Sequence, residues 1–88
     1  MASNNHLSRV AALGCILCDH LGAGETPATV HHIREEAGLR NDYLSIPLCR
    51  EHHQGASGRH MLGASGFYQR YKVTELDLLA MTIARLMP

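Results

Sequence analysis

Two segments of the chain carry apolar residues at helical spacing. The first predicts a short helix ended by Gly14, with apolar positions at Leu7, Val10, Ala11 and Leu13. We expect residues 1–6, which are polar and lie at the chain start, to be disordered. The second makes residues 74–87 an amphipathic C-terminal helix with Thr74 as N-cap and a main apolar stripe at Leu76, Leu79, Ala80, Ile83 and Leu86.

Between these helices the pattern changes to two short runs that predict strands. Residues 28–33 are rich in β-branched side chains and contain His31 and His32 near their end, and residues 44–46 alternate until Pro47 stops the strand. The two strands can pair as a hairpin with a long connection. Since side chains alternate along a strand, His31 and His32 point to opposite faces, so the strand end must twist or bulge if both serve one site.

The segment after the second strand is too rich in glycine for a long helix. Residues 48–53 can begin one, but the twelve residues 55–66 contain Gly55, Gly58, Gly63 and Gly66. We expect one or two helical turns and then a glycine-rich loop around His60. The fold class is therefore α+β, a single small domain over residues 1–88 with flanking N- and C-terminal helices.

Composition indicates that this domain needs a staple beyond its hydrophobic core. The chain has 88 residues, with no Trp, one Phe and three Tyr, and a core of this size rarely supplies more than about 3–5 kcal/mol. Three cysteines leave one over in a disulfide framework, and neither a secretory signal nor a membrane-length apolar run is visible. We therefore expect a cytoplasmic setting, no membrane and a metal ion as the staple.

Charge and surface patterning say less about partners. The formal net charge is zero, which argues against the broad basic field of a nonspecific nucleic-acid binder. Leu78 and Met81 are expected on the exposed side of the C-terminal helix, where they permit a homodimer without requiring one. The chain is accordingly expected to be a monomer or a homodimer.

Three cysteines and one histidine have the spacing of a tetrahedral zinc site. Cys15 and Cys18 form one pair, and Cys49 and His52 form the other, each with two intervening residues. That spacing lets a tight turn aim both donors at one ion ~2.0–2.3 Å away. The plainer interpretation is three small buried hydrophobic residues. Because a chain this short needs a staple, we predict a structural Zn²⁺ here.

Six histidines are left without a role by this assignment. His6 belongs to the chain start and His20 lies just past the first ligand pair, where it is more often solvated; the other four are His31, His32, His53 and His60. Two of them are neighbours at a predicted strand end, and a third directly follows a zinc ligand. If the hairpin packs on the short helix that follows it, these imidazoles can surround one ion. The sequence therefore indicates a second metal site.

These motifs together resemble those of known nucleases. The run His31-His32-Ile33, followed by 48–53 and preceded by 15–18, resembles the HNH nuclease pattern, in which a zinc-stapled ββα-metal unit carries one catalytic metal. The longer stretch over 47–60, followed by Phe67, Tyr68 and Tyr71, is similar to the phage recombination-enhancement, RecA-dependent nucleases. The resemblance covers about residues 13–80.

The resemblance implies roles for individual residues. His32 would be the general base, and one divalent cation (Mg²⁺, Mn²⁺ or Zn²⁺) would be held by His31, His53 and His60. The central Asn of the HNH pattern is not matched, because Leu44 stands five residues before Cys49. Nearby candidates for its role are Asn41, Asp42 and Ser45.

The function that follows is a metal-dependent DNA endonuclease, with a RecA-type recombinase filament as a partner that only the resemblance implies. Five basic residues are candidates to position DNA phosphates, although each taken singly is more often a solvated surface charge: Arg34, Arg50, Arg59, Arg70 and Lys72. One alternative is a noncatalytic zinc-stapled module that binds nucleic acid or protein on the same scaffold. Another is a pair of structural zinc ions that together use all of the histidines.

Overall fold

The computed structural model describes residues 2–33 and 41–87. Within these ranges the chain forms helices and one hairpin in the order α1 (Ala2–Ala12), α2 (Ile16–His20), β1 (Thr29–His32), β2 (Ser45–Leu48), α3 (Arg50–His53), α4 (Arg59–Tyr71) and α5 (Glu75–Leu86). A small α+β fold is thereby confirmed. No helix in the described ranges is long and apolar enough to cross a membrane.

The two strands form an antiparallel hairpin whose register runs unbroken from Thr29 opposite Leu48 to His32 opposite Ser45. The prediction that Pro47 stops the second strand is wrong, since the strand includes it opposite Val30. The Ile33 N–H donates to the Leu44 carbonyl oxygen at 2.8 Å. Hydrogen-bonded and non-hydrogen-bonded pairs alternate along an antiparallel hairpin, so the backbone nitrogen of Pro47 faces away from β1. Proline is tolerated there because no ladder hydrogen bond is lost.

The hydrophobic core lies between the hairpin and the helices packed on it. Every side chain of β2 is buried, and Ile46 and Leu48 are fully buried. The helices add Leu17 from α2, Phe67 from α4 and Leu78 from α5, and these side chains are at most 1% exposed.

The first helix starts earlier than predicted. It begins at Ala2, five residues before the predicted start at Leu7, so disorder over residues 1–6 is a wrong expectation for the part that the structure describes. Contacts distant in sequence support the extra turn and the helix beyond it. The His6 ring packs on the Tyr43 ring with centroids 4.6 Å apart, and the Arg9 guanidinium donates to the Leu86 carbonyl oxygen at 2.6 Å.

The predicted glycine-rich loop around His60 is instead the first turn of a helix. Gly58 is the N-cap of α4, and Leu62 N–H donates to its carbonyl oxygen at 3.0 Å. Gly63 has φ 71° and ψ 175° and kinks the helix without ending it. Because glycine adopts this conformation readily, the kink brings His60 and Phe67 into one element at little cost.

The C-terminal helix has the predicted N-cap but buries a different face. Thr74 and Asp77 form a capping box. Most of the predicted apolar stripe is wrong, because Leu76 is 62% exposed and Ile83 43% exposed, whereas Leu78 is fully buried. Leu79, which also belongs to that stripe, does pack against the core. The buried face includes Thr82, whose hydroxyl donates to the Leu78 carbonyl oxygen at 2.8 Å. Because threonine is polar, the pattern of apolar residues does not predict that Thr82 is buried. With Leu78 in the core, it does not belong to a dimer surface.

Candidate metal centres

The first cluster contains the four residues predicted to bind zinc. Cys15 is the N-cap of α2, and Cys18 is its third residue; Cys49 and His52 have the same positions in α3. N-cap and N3 side chains lie on the same side of a helix start, as they do in a capping box. Two helix starts from distant parts of the chain therefore point their donors at one another.

The distances within this cluster fit a tetrahedron around one ion. The Nδ1 atom of His52 lies 3.6 Å from Cys15 Sγ, 3.5 Å from Cys18 Sγ and 3.3 Å from Cys49 Sγ, and the Sγ atoms of Cys18 and Cys49 are 3.8 Å apart. A tetrahedral Zn²⁺ with ordinary bond lengths separates two sulfurs by about 3.8 Å and sulfur from nitrogen by about 3.6 Å. The cluster can thus hold a metal such as zinc.

The electrostatics of the first cluster also suit a cation. All three cysteines are buried and free of disulfides. Burial raises the pKa of the Cys15 thiol to about 12, so its thiolate needs a compensating positive charge at neutral pH. Burial lowers the pKa of His52, which keeps the imidazole neutral and its nitrogen free to ligate.

The second cluster contains three of the four histidines expected around a second ion. His31 comes from β1, His53 from the end of α3 and His60 from the first turn of α4. One donor nitrogen of each lies within 4.8 Å of the others, and the ring centroids are 4.7–5.3 Å apart. His31 is 7% exposed, whereas His60 is exposed. The cluster is therefore open to solvent on the His60 side.

Two of these imidazoles have their second nitrogen occupied. The Thr29 hydroxyl lies 2.9 Å from His53 Nδ1 and 3.4 Å from the Leu48 carbonyl oxygen, to which it donates. His53 Nδ1–H then donates to Thr29, which leaves Nε2 as the ligating atom. His31 Nε2 donates to the Glu75 carboxylate. Ligand histidines in proteins are commonly oriented in this way.

The pKa shifts in the second cluster favour neutral donors. Burial, with the neighbouring His31 and His60 as further causes, lowers the pKa of His53 to about 4. Burial would raise the pKa of Glu75, but the His31 hydrogen bond and the Arg59 charge outweigh it, and that pKa lies below its ordinary value. The cluster thus combines an uncharged His53 imidazole with an ionised carboxylate hydrogen-bonded to His31.

The fourth histidine, His32, is not part of either cluster. The unbroken strand register places the His31 and His32 side chains on opposite faces, so the twist or bulge expected for a shared site does not occur within β1. His32 Nε2 lies 2.9 Å from Asp42 Oδ1. Of the three candidates for the central Asn, Asp42 is the one whose side chain is seen hydrogen-bonded to His32. Asn41 Oδ1 accepts from the Tyr43 N–H, and Ser45, which lies opposite His32 in the hairpin, donates to the Asp42 carbonyl oxygen.

The basic residues predicted to position phosphate have different surroundings. Arg59 is bound to Glu75, with Nη2 3.1 Å from Oε1. Arg50, Arg70 and Lys72 are exposed, and the Arg70 guanidinium lies 5.6 Å from the centroid of the Tyr71 ring. Arg34 lies outside the described residues.

Sequence reasoning missed Thr29 and Glu75, the two partners of the histidine cluster. A threonine in a β-branched strand and a glutamate after a helix N-cap are both ordinary. Their local patterns carry no signal of a site.

Fold and clusters together define a small α+β domain with two groups of side chains able to hold metal ions. The chain belongs to the family described as recombination enhancement, RecA-dependent nuclease, whose model matches residues 2–87. No curated protein and no solved structure matches the chain.

Proposed function

We propose that this protein is a metal-dependent DNA endonuclease of the HNH type, which hydrolyses phosphodiester bonds and works with a RecA-type recombinase filament. The family description supports the nuclease activity and the recombinase partner. The observation that carries the proposal is a three-histidine cluster, drawn from three elements and open to solvent, beside a separate Cys₃His cluster.

The first cluster has an architectural role in this proposal. Helix α3 has only four residues, too few to be stable alone in water. A structural Zn²⁺ held by Cys15, Cys18, Cys49 and His52 would fix α3 against α2. Since His53 directly follows His52, the same ion would fix the orientation of a ligand in the second cluster.

The second cluster is the proposed catalytic centre. His31, His53 and His60 would hold one Mg²⁺, Mn²⁺ or Zn²⁺ ion. When bound, a divalent cation supplies Lewis-acid stabilisation of the charge that develops on the phosphate and on the departing oxygen. Thr29 already directs His53 and Glu75 already directs His31, so these two ligands would not need to reorganise.

His32 is the proposed general base, with Asp42 in the supporting role of the unmatched Asn. The Asp42 carboxylate accepts from Nε2–H, which places the imidazole lone pair on Nδ1, the atom proposed to take a proton from the attacking water. Neighbouring Cα atoms are ~3.8 Å apart and β1 ends at His32. For His32 and the ion to serve one reaction, the phosphodiester must lie across this strand end, because His31 and His32 point to opposite faces.

Exposed basic side chains would hold the DNA backbone around this centre without reading sequence. Arg50 adjoins the zinc ligand Cys49, and Arg70 and Lys72 lie at the end of α4. Arg34 stays a prediction. Arg59 is less suited to phosphate, because Glu75 already neutralises its charge.

The decisive test compares the native chain with His32→Ala on single-stranded, duplex and displaced-loop DNA, with Mg²⁺ or Mn²⁺ and with and without a recombinase filament. We expect cleavage by the native chain and a loss of about 10²–10⁴-fold in His32→Ala, with metal content and circular dichroism unchanged. His20→Ala, which alters an exposed histidine outside both clusters, should cleave normally.

Two outcomes would contradict the proposal. If the native chain cleaves none of these substrates and elemental analysis finds one tightly held zinc with no second exchangeable ion, the protein is a noncatalytic zinc-stapled binding module. If the native chain and His32→Ala cleave equally, the assignment of the base is wrong.

A further inference from the structure

Glu75 is the one carboxylate among the described residues that contacts the three-histidine cluster. It is the first residue of α5, and its side chain is 16% exposed. Oε2 accepts from His31 Nε2, and Oε1 accepts from Arg59 at 3.1 Å. The carboxylate therefore joins β1, α4 and α5 at the edge of the proposed catalytic centre.

The position of Glu75 is fixed from its own helix. The Asp77 N–H donates to Thr74 Oγ1 at 3.1 Å, and the Thr74 N–H donates to Asp77 Oδ2 at 2.8 Å. This capping box holds the first turn of α5. Glu75 consequently reaches His31 from a rigid helix start rather than from a loop.

The contact determines which nitrogen of His31 is available to a cation. An ionised carboxylate only accepts hydrogen bonds, so the partner nitrogen Nε2 must carry the hydrogen, and the lone pair of the neutral imidazole is then on Nδ1. An oriented ligand of this kind binds metal better than one free to rotate or change tautomer.

We propose that Glu75 is a positioning residue of the second centre, which presents His31 Nδ1 to a divalent cation and is itself held in place by Arg59. This inference rests on the proposed function, because it requires that the histidine cluster bind an ion. It also gives Arg59 a role other than phosphate binding.

The plainer alternative is that Glu75 only stabilises the start of α5. A negative charge in the first helical turn contributes about 0.3–1 kcal/mol through the helix dipole. Asp77 provides a matched control, because it is acidic and lies in the same turn but has no contact with His31 among those found in the described residues. Asp77→Asn removes the charge and keeps an oxygen that can complete the capping box.

The test uses the full chain with Zn²⁺ in the Cys₃His cluster and Co²⁺ as the probe of the histidine cluster, followed by its visible absorption. In Glu75→Gln we expect the Kd for Co²⁺ to rise about 10–100-fold and the absorption bands to shift, because the amide can turn its NH₂ group toward His31 and reverse the tautomer. Asp77→Asn should bind Co²⁺ like the native chain. Melting temperatures before addition of Co²⁺ should be alike in the two variants.

Each result separates the inference from the proposed function. If the native chain binds no Co²⁺ outside the Cys₃His cluster, both are overturned. If the native chain binds Co²⁺ and Glu75→Gln binds it equally well with the same spectrum, only the role of Glu75 is overturned. Should Glu75→Gln fail to fold, Arg59→Gln replaces it; a weaker Co²⁺ site is expected there, and an unchanged Kd would count against the inference.

Discussion

Gly58 precedes α4 at a point where the backbone of α3 passes very close. A Cβ atom at this position would lie 2.5 Å from the Glu51 carbonyl oxygen and 2.8 Å from the His52 carbonyl carbon. Both are backbone atoms of the helix that carries a predicted zinc ligand, so they cannot turn aside as a side chain can. We expect Gly58→Ala to lower the free energy of unfolding of the zinc-loaded protein by roughly 1–3 kcal/mol, measured by urea denaturation.

Gly66→Ala is the control for this substitution. Gly66 lies inside α4, where a Cβ atom would meet Leu62 Cβ at 3.3 Å, a contact far less close than those at Gly58. Alanine is also favoured over glycine in a helix interior by about 1 kcal/mol. Its unfolding free energy should stay level or rise, and equal losses in both variants would show that the approach of α3 is not what excludes a side chain at Gly58.

Spacing alone could identify only those residues whose meeting depends on local geometry, whereas the grouping of His31, His53 and His60 was implied by the family resemblance. Cys15 and Cys18 are three positions apart, and that spacing alone brings their donors together at a helix start. The pairing of Glu75 with His31 spans 44 positions. This pairing depends on how α5 packs against the hairpin, so it cannot be predicted from a local sequence pattern.

Among the helices, the same N-cap to N3 arrangement recurs at three starts. In α2 and α3 it presents metal donors, and in α5 it forms the capping box of Thr74 and Asp77. Helical turns near α3 and the start of α5 were predicted, whereas the pattern at Cys15 and Cys18 was interpreted as a metal-binding turn and the helix Ile16–His20 was missed. The start of α1 could not be predicted, since its first turns are supported by contacts such as that of His6 with Tyr43, which belong to the tertiary structure.

The face of α5 that packs into the core differs from the predicted one, and the difference can be tested by comparing substitutions on the two faces. Leu78 is fully buried and Ile83 is 43% exposed, although both are apolar residues of one helix. We expect Leu78→Ala to lower the unfolding free energy by about 2–5 kcal/mol, because it leaves a cavity beside the hairpin. Urea denaturation of the zinc-loaded chain gives the measurement.

Ile83→Ala is the matched substitution on the exposed face. A surface change of this kind usually alters stability by no more than about 0.5 kcal/mol. A larger loss for Ile83→Ala than for Leu78→Ala would restore the stripe of Leu76, Ala80 and Ile83 as the buried wall and would contradict the packing described above.

For the whole molecule, the two clusters have unequal consequences for folding. The Cys₃His cluster joins α2 to α3, segments that are about thirty residues apart in sequence. Apparent zinc-binding free energies in small zinc domains are about 10–16 kcal/mol, whereas a core of this size supplies roughly 3–5 kcal/mol. The first ion would therefore supply more free energy than the core itself.

An ion in the histidine cluster should contribute less to the free energy of folding, because its ligands lie on elements that the core and the first cluster already hold in place. We expect Cys49→Ser to leave the chain largely unfolded by circular dichroism, whereas His32→Ala should melt like the native chain. In the native chain, a weak chelator should remove the second ion without loss of helical signal, and a strong chelator that extracts the first should abolish that signal. Equal melting curves for Cys49→Ser and His32→Ala would mean that the Cys₃His cluster is not what holds this fold together, and the division into an architectural and a catalytic centre would fail with it.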